Sequence, residues 1–105
     1  MNETAAEQGG IEVVDVPDLG RFEIRVGGAL AGFAQYVRPD ADHLDFVHTE
    51  ISDAYAGQGL AGKLATAALD EVRATGRRAI PHCPFIASFI TKHPEYEDVT
   101  DWPVR

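Results

Sequence analysis

Apolar and polar residues alternate with a period of two along Arg21 to Val26, where Phe22, Ile24 and Val26 stand apart from Arg21, Glu23 and Arg25. That alternation predicts a strand with one face turned to a core. Order is expected to begin near Ile11, behind a disordered polar lead over residues 1–10, and Pro17-Asp-Leu-Gly20 marks a turn before the strand. Gly27-Gly28 reads as a tight hairpin turn, because glycine tolerates the positive φ such turns require. Ala29 to Val37 forms a second strand that stops at the turn composition Arg38-Pro39-Asp40-Ala41-Asp42, and His43 to Ile51 forms a third. Three consecutive strands joined by short turns make an antiparallel meander.

The period then changes. From Leu60 onward, Leu60, Ala61, Leu64, Ala65, Ala68 and Val72 share one helical stripe, and Lys63, Thr66, Asp70 and Arg73 point elsewhere. Gly76 ends this helix, with Arg73 well placed in its last turn for the helix dipole. Arg78 to His82 reads as a short fourth strand. Pro84 suits the first position of a helix, where its missing N–H costs nothing, so Pro84 to His93 is a second helix that Pro94 terminates. The order of three strands, helix, strand, helix defines an α+β domain over residues 11–99, followed by an acidic tail over 100–105.

The 105-residue length fits one domain, and the 45% hydrophobic content contains no run long enough to span a bilayer. Membrane and secretory readings therefore have no support, since the polar opening MNETAAEQGG also lacks the basic start and apolar stretch of a signal. The lone Cys83 has no partner for a disulfide or a zinc site, so no metal is expected and a reducing, cytoplasmic setting fits best. A net charge of −8 with scattered Lys and Arg argues against nucleic acid. Such a chain can attract a cationic amine or basic peptide, or the charge can serve solubility alone.

The chemistry is concentrated in Ile51-Ser-Asp-Ala-Tyr-Ala-Gly-Gln-Gly-Leu-Ala-Gly-Lys-Leu64, where a strand passes through a short loop into a helix. Gly57 and Gly59 let a ligand approach the backbone closely and leave the first helical N–H groups pointing outward. Together with the helix dipole they form a pyrophosphate site that needs no basic side chain. Gly57-Gln-Gly59-Leu-Ala-Gly62 also fits G-x-G-x-x-G, but a meander precedes it rather than a parallel βαβ unit. A P-loop is excluded because Leu64, not Ser or Thr, follows Lys63.

At these residues the chain resembles the GNAT superfamily of acyl-CoA N-acyltransferases, whose Arg/Gln-x-x-Gly-x-Gly/Ala loop holds coenzyme A. Gly57-Gln58-Gly59-Leu60-Ala61 carries the match, while Ala56 stands where the motif opens with Arg or Gln. With His48-Thr-Glu-Ile51, Pro81-His-Cys-Pro84 and His93-Pro-Glu-Tyr96, the run from Ile11 to about Val99 is similar to a group of very small stand-alone GNAT-like proteins of bacteria and plants. The resemblance implies a minimal GNAT-like fold and an acetyl-CoA co-substrate contacted by Ile51, Ala56, Gly57, Gln58, Gly59, Leu60, Ala61 and Lys63. It also implies direct attack of an acceptor amine on the thioester, with a base for the amine and an acid for the thiolate.

His48 and Glu50 share one strand face with Leu44 and Phe46 by alternation, so either can be the base, or both can be ordinary polar residues at a strand end. The tyrosine that serves as acid in the superfamily is replaced near Thr91, and its asparagine near Pro84. Tyr96 is a substitute acid or a packed structural tyrosine. Cys83, at the N-cap of the last helix, can carry the acetyl group, line the site or simply pack; His82 should point to the opposite face. The acceptor is a small-molecule or peptide amine, and the missing N-terminal helices of larger superfamily members leave its site open or completed by a protein partner. A coenzyme A-binding module without turnover, or a scaffold without ligand, are the competing readings.

Overall fold

The computed structural model describes residues 10–103, so residues 1–9 of the expected lead and residues 104–105 of the tail lie outside the described residues. Five strands form one sheet in the order of the chain: β1 (Ile11–Val16), β2 (Arg21–Val26), β3 (Ala29–Val37), β4 (His43–Ile51) and β5 (Arg78–Pro81). The first four pair antiparallel, whereas β4 and β5 run parallel and are joined through helix α1 (Leu60–Ala74). A parallel pair cannot be closed by a tight turn, so the helical crossover follows from the pairing. Helix α2 (Pro84–Lys92) and a 3-10 segment (Pro94–Val99) complete the fold.

This is the expected α+β class, with one addition to the meander. Ile11–Val16 is a fourth antiparallel strand, in register with β2 from Ile11↔Val26 to Val16↔Arg21. Its Val13-Val14 pair interrupts a period-two pattern, and only Val13 among its residues packs against the core. An edge strand held mainly by ladder hydrogen bonds leaves little trace in hydrophobic periodicity.

Both helices pack into a single buried cluster on one face of the sheet. Leu60, Leu64, Leu69 and Val72 of α1, Ile86 and Ile90 of α2, and Ile24 and Phe46 of the sheet are almost completely excluded from water. Each such side chain contributes roughly 1.5–3 kcal/mol of burial free energy. The opposite sheet face has no helix over it among the described residues. It carries Arg21, Glu23 and Arg25 of β2, Phe33 and Gln35 of β3, and His48 and Glu50 of β4, which pair laterally in the register Glu23↔Phe33↔Glu50 and Arg21↔Gln35↔His48.

Two register shifts control which residues reach each face. One leaves Ala31 as the extra residue of β3 opposite Ile24 and Arg25, and the other leaves Val47 as the extra residue of β4 opposite Gln35 and Tyr36. Strict alternation along β4 therefore fails at Val47. Leu44 and Phe46 enter the core, but His48 and Glu50 emerge on the open face, away from the apolar residues with which simple alternation groups them.

Pairing of β4 with β5 ends at Phe46↔Pro81, where proline has no N–H to extend the ladder. The Cys83 N–H makes one last bond to the Phe46 carbonyl at 2.7 Å, and the chain turns into α2. The stretch Val47–Ile51 consequently has no strand partner on that edge among the described residues, and β4 and β5 diverge. No helix among the described residues is long and apolar enough to cross a membrane.

Candidate functional site

From Ile51 the chain passes through a 3-10 turn, Asp53–Tyr55, closed by Tyr55 N–H to Ser52 and Ala56 N–H to Asp53 carbonyls. Gly57 and Gly59 then take left-handed φ values of +81° and +73°. Gly59 is the N-cap of α1 and supplies the carbonyl for Lys63 N–H, but no side chain caps the helix and no acidic residue occupies its first turn. The initial N–H groups are left for solvent or an anion. A Cβ built on either glycine meets nothing within 4 Å, so the space in front of the loop is open.

That space continues into a cleft of about 590 Å³ between the helices, lined by Gly59, Gly62, Lys63 and Thr66 on one side and Phe89 and His93 on the other. Gly59 and Lys63 of this lining are exposed, as are Ala56, Gly57 and Gln58 in the preceding loop, whereas the Leu60 side chain is in the core, leaving only its backbone available to a ligand. Ile51 packs against the core beneath Gly32, where its side chain and backbone fill the position any Cβ on Gly32 would take. Phe89 and His93 stack at 4.0 Å between ring centres, and the His93 Nδ1–H donates to the Phe89 carbonyl, which fixes the ring's orientation. Residue types alone did not single out these two; their i, i+4 spacing on α2 is the signal that places them on one helix face.

On the open sheet face, His48 Nε2 lies 3.1 Å from Glu50 Oε1, and both side chains are more than half exposed. Glu50 borders a second cleft of about 260 Å³ formed with Leu30, Ala31, Gly32, Phe33 and Ser52. Beside it, the buried Glu23 carboxylate is bridged by Arg25 and Arg21, whose hydrogen bonds, Arg25's first, hold it below the usual carboxylate range. The Arg21 guanidinium also lies 4.6 Å from the Phe33 ring centre. This network fixes the floor of the face next to Glu50.

Cys83 is not on that face. Its thiol is buried at the N-cap of α2 and donates to Thr49 Oγ1 at 3.4 Å, on the helix side of β4. His82 turns the other way, with Nδ1 2.7 Å from the Asp45 carboxylate. The structure thus places Gly59 and Lys63 at one cleft and Glu50, with His48 beside it, at another, and separates Cys83 from that pair by the thickness of the sheet. Tyr96 is buried, and its hydroxyl donates to Asp70 at 2.7 Å; burial and this carboxylate push the phenol up to about 12. Thr91 uses its hydroxyl on the Ala87 carbonyl.

The chain matches the family model of the GCN5-related N-acetyl-transferase over residues 21–99. Among curated relatives, Protein NATD1 of Mus musculus is 34% identical over 87% of this chain and 84% of its own length. Protein NATD1 of Bos taurus is 45% identical over 49% of the chain, an alignment that spans 45% of the bovine protein. The solution structure of a GCN5-like protein of Staphylococcus aureus superposes with a TM-score of 0.66 at 24% identity, covering 90% of this chain and 91% of that one, and so shares its fold.

Proposed function

Because the chain belongs to the GCN5-related N-acetyltransferase family, we propose that it moves an acetyl group from acetyl-CoA to an amine acceptor. The observation that carries this reading is the loop of Gly57 and Gly59, whose left-handed backbone leaves room for a diphosphate and opens on the cleft between the helices. Ile51, Ala56, Gly57, Gln58, Gly59, Leu60, Ala61 and Lys63 contribute backbone N–H groups, contact surface and, from Lys63, one positive charge. The stacked Phe89 and His93 rings offer a flat apolar wall to a nucleobase. When bound, acetyl-CoA supplies an activated acetyl group as a thioester.

The free edge of β4 beyond Phe46 leads from that cleft toward the open sheet face. Glu50 and His48 there take the proton an acceptor ammonium must lose before its nitrogen can attack, and the cleft at Phe33 and Glu50 suits a cation with an apolar body. Cys83 lines the site from the helix side. The acceptor is a small-molecule or peptide amine, with a protein partner completing its site where the open face gives no wall, in the reducing cytoplasm that a lone thiol suits.

A second reading, a coenzyme A-binding module without turnover, is favoured by Ala56 in place of the motif's Arg or Gln and by the commitment of the Tyr96 hydroxyl to Asp70. Thermal melting with acetyl-CoA and with free CoA tests both. A ligand at 100 times its dissociation constant adds about 2.7 kcal/mol, on the order of 10 °C for a domain of this size. The expected shift followed by acetylation of a panel of amines and basic peptides supports the enzyme; a shift without acetylation supports the module. No shift with either ligand overturns both.

A further inference from the structure

We propose that His82, held by Asp45, is the acid that protonates the departing coenzyme A thiolate. This inference rests on the acetyl-transfer reading above and assigns the proton donor that the tyrosine near Thr91 would otherwise supply. His82 follows Pro81, the last residue of β5 to pair with β4, so its backbone stands at the vertex where the two strands part. Cys83, one residue later, turns into the core against Thr49, while the His82 ring turns to the open face. The two residues therefore flank the gap between the sheet's faces.

Asp45 makes this orientation specific. Its side chain is only 15% exposed, and the imidazole stands over it with Nδ1 2.7 Å from Oδ1. An ionised carboxylate only accepts hydrogen bonds, so Nδ1 carries a proton, and the exchangeable site is Nε2. Nε2 has no protein partner among the described residues, and the ring itself is half exposed, accessible to a reactant. His48 is arranged differently, with Nε2 bound to an exposed Glu50. The open face thus carries two carboxylate–imidazole pairs.

The stoichiometry of the reaction uses both. An acceptor ammonium loses one proton to the Glu50–His48 pair, and solvent removes it. As the nitrogen bonds to the acetyl carbon, the C–S bond breaks with its electron pair remaining on sulfur, and His82, acting from its doubly protonated imidazolium form, gives the Nε2 proton that makes the thiol and becomes the neutral ring with its proton on Nδ1. The second proton shed by nitrogen as the amide forms returns to Nε2, so His82 ends as it began. The sum is ammonium and thioester giving amide, thiol and one proton.

The first test does not depend on turnover. In uniformly 15N-labelled protein, free CoA is expected to move the His82 Nε2 resonance, whereas desulfo-CoA, which binds through the same nucleotide but lacks sulfur, should not. Amide shifts at Gly57 to Lys63 with both ligands report binding. Their absence overturns the coenzyme reading itself; their presence with an unmoved His82 Nε2 overturns this inference alone. The second test is kinetic. His82→Ala should retain CoA affinity and lose on the order of 10²-fold in acetyl transfer, with part of the rate restored by added imidazole. Asp45→Asn, as a positioning change, should lower the rate and alter the pH profile while leaving the Nε2 response to sulfur present. Full activity in His82→Ala, or a loss that imidazole does not restore, overturns the assignment.

Discussion

Gly59 is the residue on which the coenzyme reading is most exposed to test. Its φ of +73° is a region that L residues rarely enter, and the position a Cβ would take is empty. Gly59→Val therefore introduces two effects, backbone strain on the order of 1–2 kcal/mol and a side chain projecting into the space in front of the loop. Gly27 separates them, because it also has positive φ, +58°, and open space at its Cβ, but lies in the β2–β3 turn. Both Val variants are expected to melt several degrees lower, and only Gly59→Val should lose CoA affinity in calorimetric titration. Equal affinity in the two variants would place the phosphates elsewhere.

At the scale of elements, the turn before β4 and the segment after the last 3-10 turn are tied together by charge. His43 sits between Asp40, 2.8 Å from its Nδ1, and Asp101, 2.8 Å from its Nε2, while Arg78 of β5 grips the same Asp101. The hydrogen bonds to Asp40 and then Asp101 raise the His43 pKa above 6.5. Its stabilising contribution is thus fully present below about 6.5 and is lost as pH rises through the folded value. Asp101 shows the opposite sign: Arg78, then His43, lowers it to about 2, so its contribution holds above about 4 and disappears as pH falls toward 2. Melting of His43→Gln against the parent chain should show a deficit at pH 5 that narrows above neutrality; a deficit independent of pH would make the contact one of packing. The helices, the hairpin at Gly27-Gly28 and the glycine loop were legible in the sequence because period, turn chemistry and a helix N-cap are local signals. The Val47 bulge, the edge strand β1 and the Asp45–His82 contact were not, because each depends on a partner distant in the chain or on a count of two residues against one; the Phe89–His93 pair is local, but it becomes a wall only because α1 packs opposite it.

Considered whole, the molecule places its two candidate clefts on different sides of the sheet: the helix-lined cleft at Gly59 and the shallower one at Phe33 and Glu50. On the proposed reading, donor and acceptor are bound at once and meet where β4 and β5 part, so that proximity supplies much of the barrier reduction without a covalent step. Cys83 lies on the helix side, buried and hydrogen-bonded to Thr49, separated by the sheet from His48 and Glu50, the pair assigned to deprotonate the amine. A covalent route would break the thioester C–S bond while forming an acetyl–Sγ bond, and would then require the amine to reach a buried sulfur. Direct attack is the expected route. Initial velocities measured over a grid of acetyl-CoA and amine should give intersecting lines, and Cys83→Ala should keep most of its rate and all of its coenzyme affinity. Intact mass alone does not decide the matter, since a thiol beside bound thioester can be acetylated as a side reaction. Rapid quench does: an acetyl-cysteine that forms and decays at least as fast as turnover, together with parallel lines, would overturn direct attack, whereas an adduct that persists unchanged through many turnovers is a bystander.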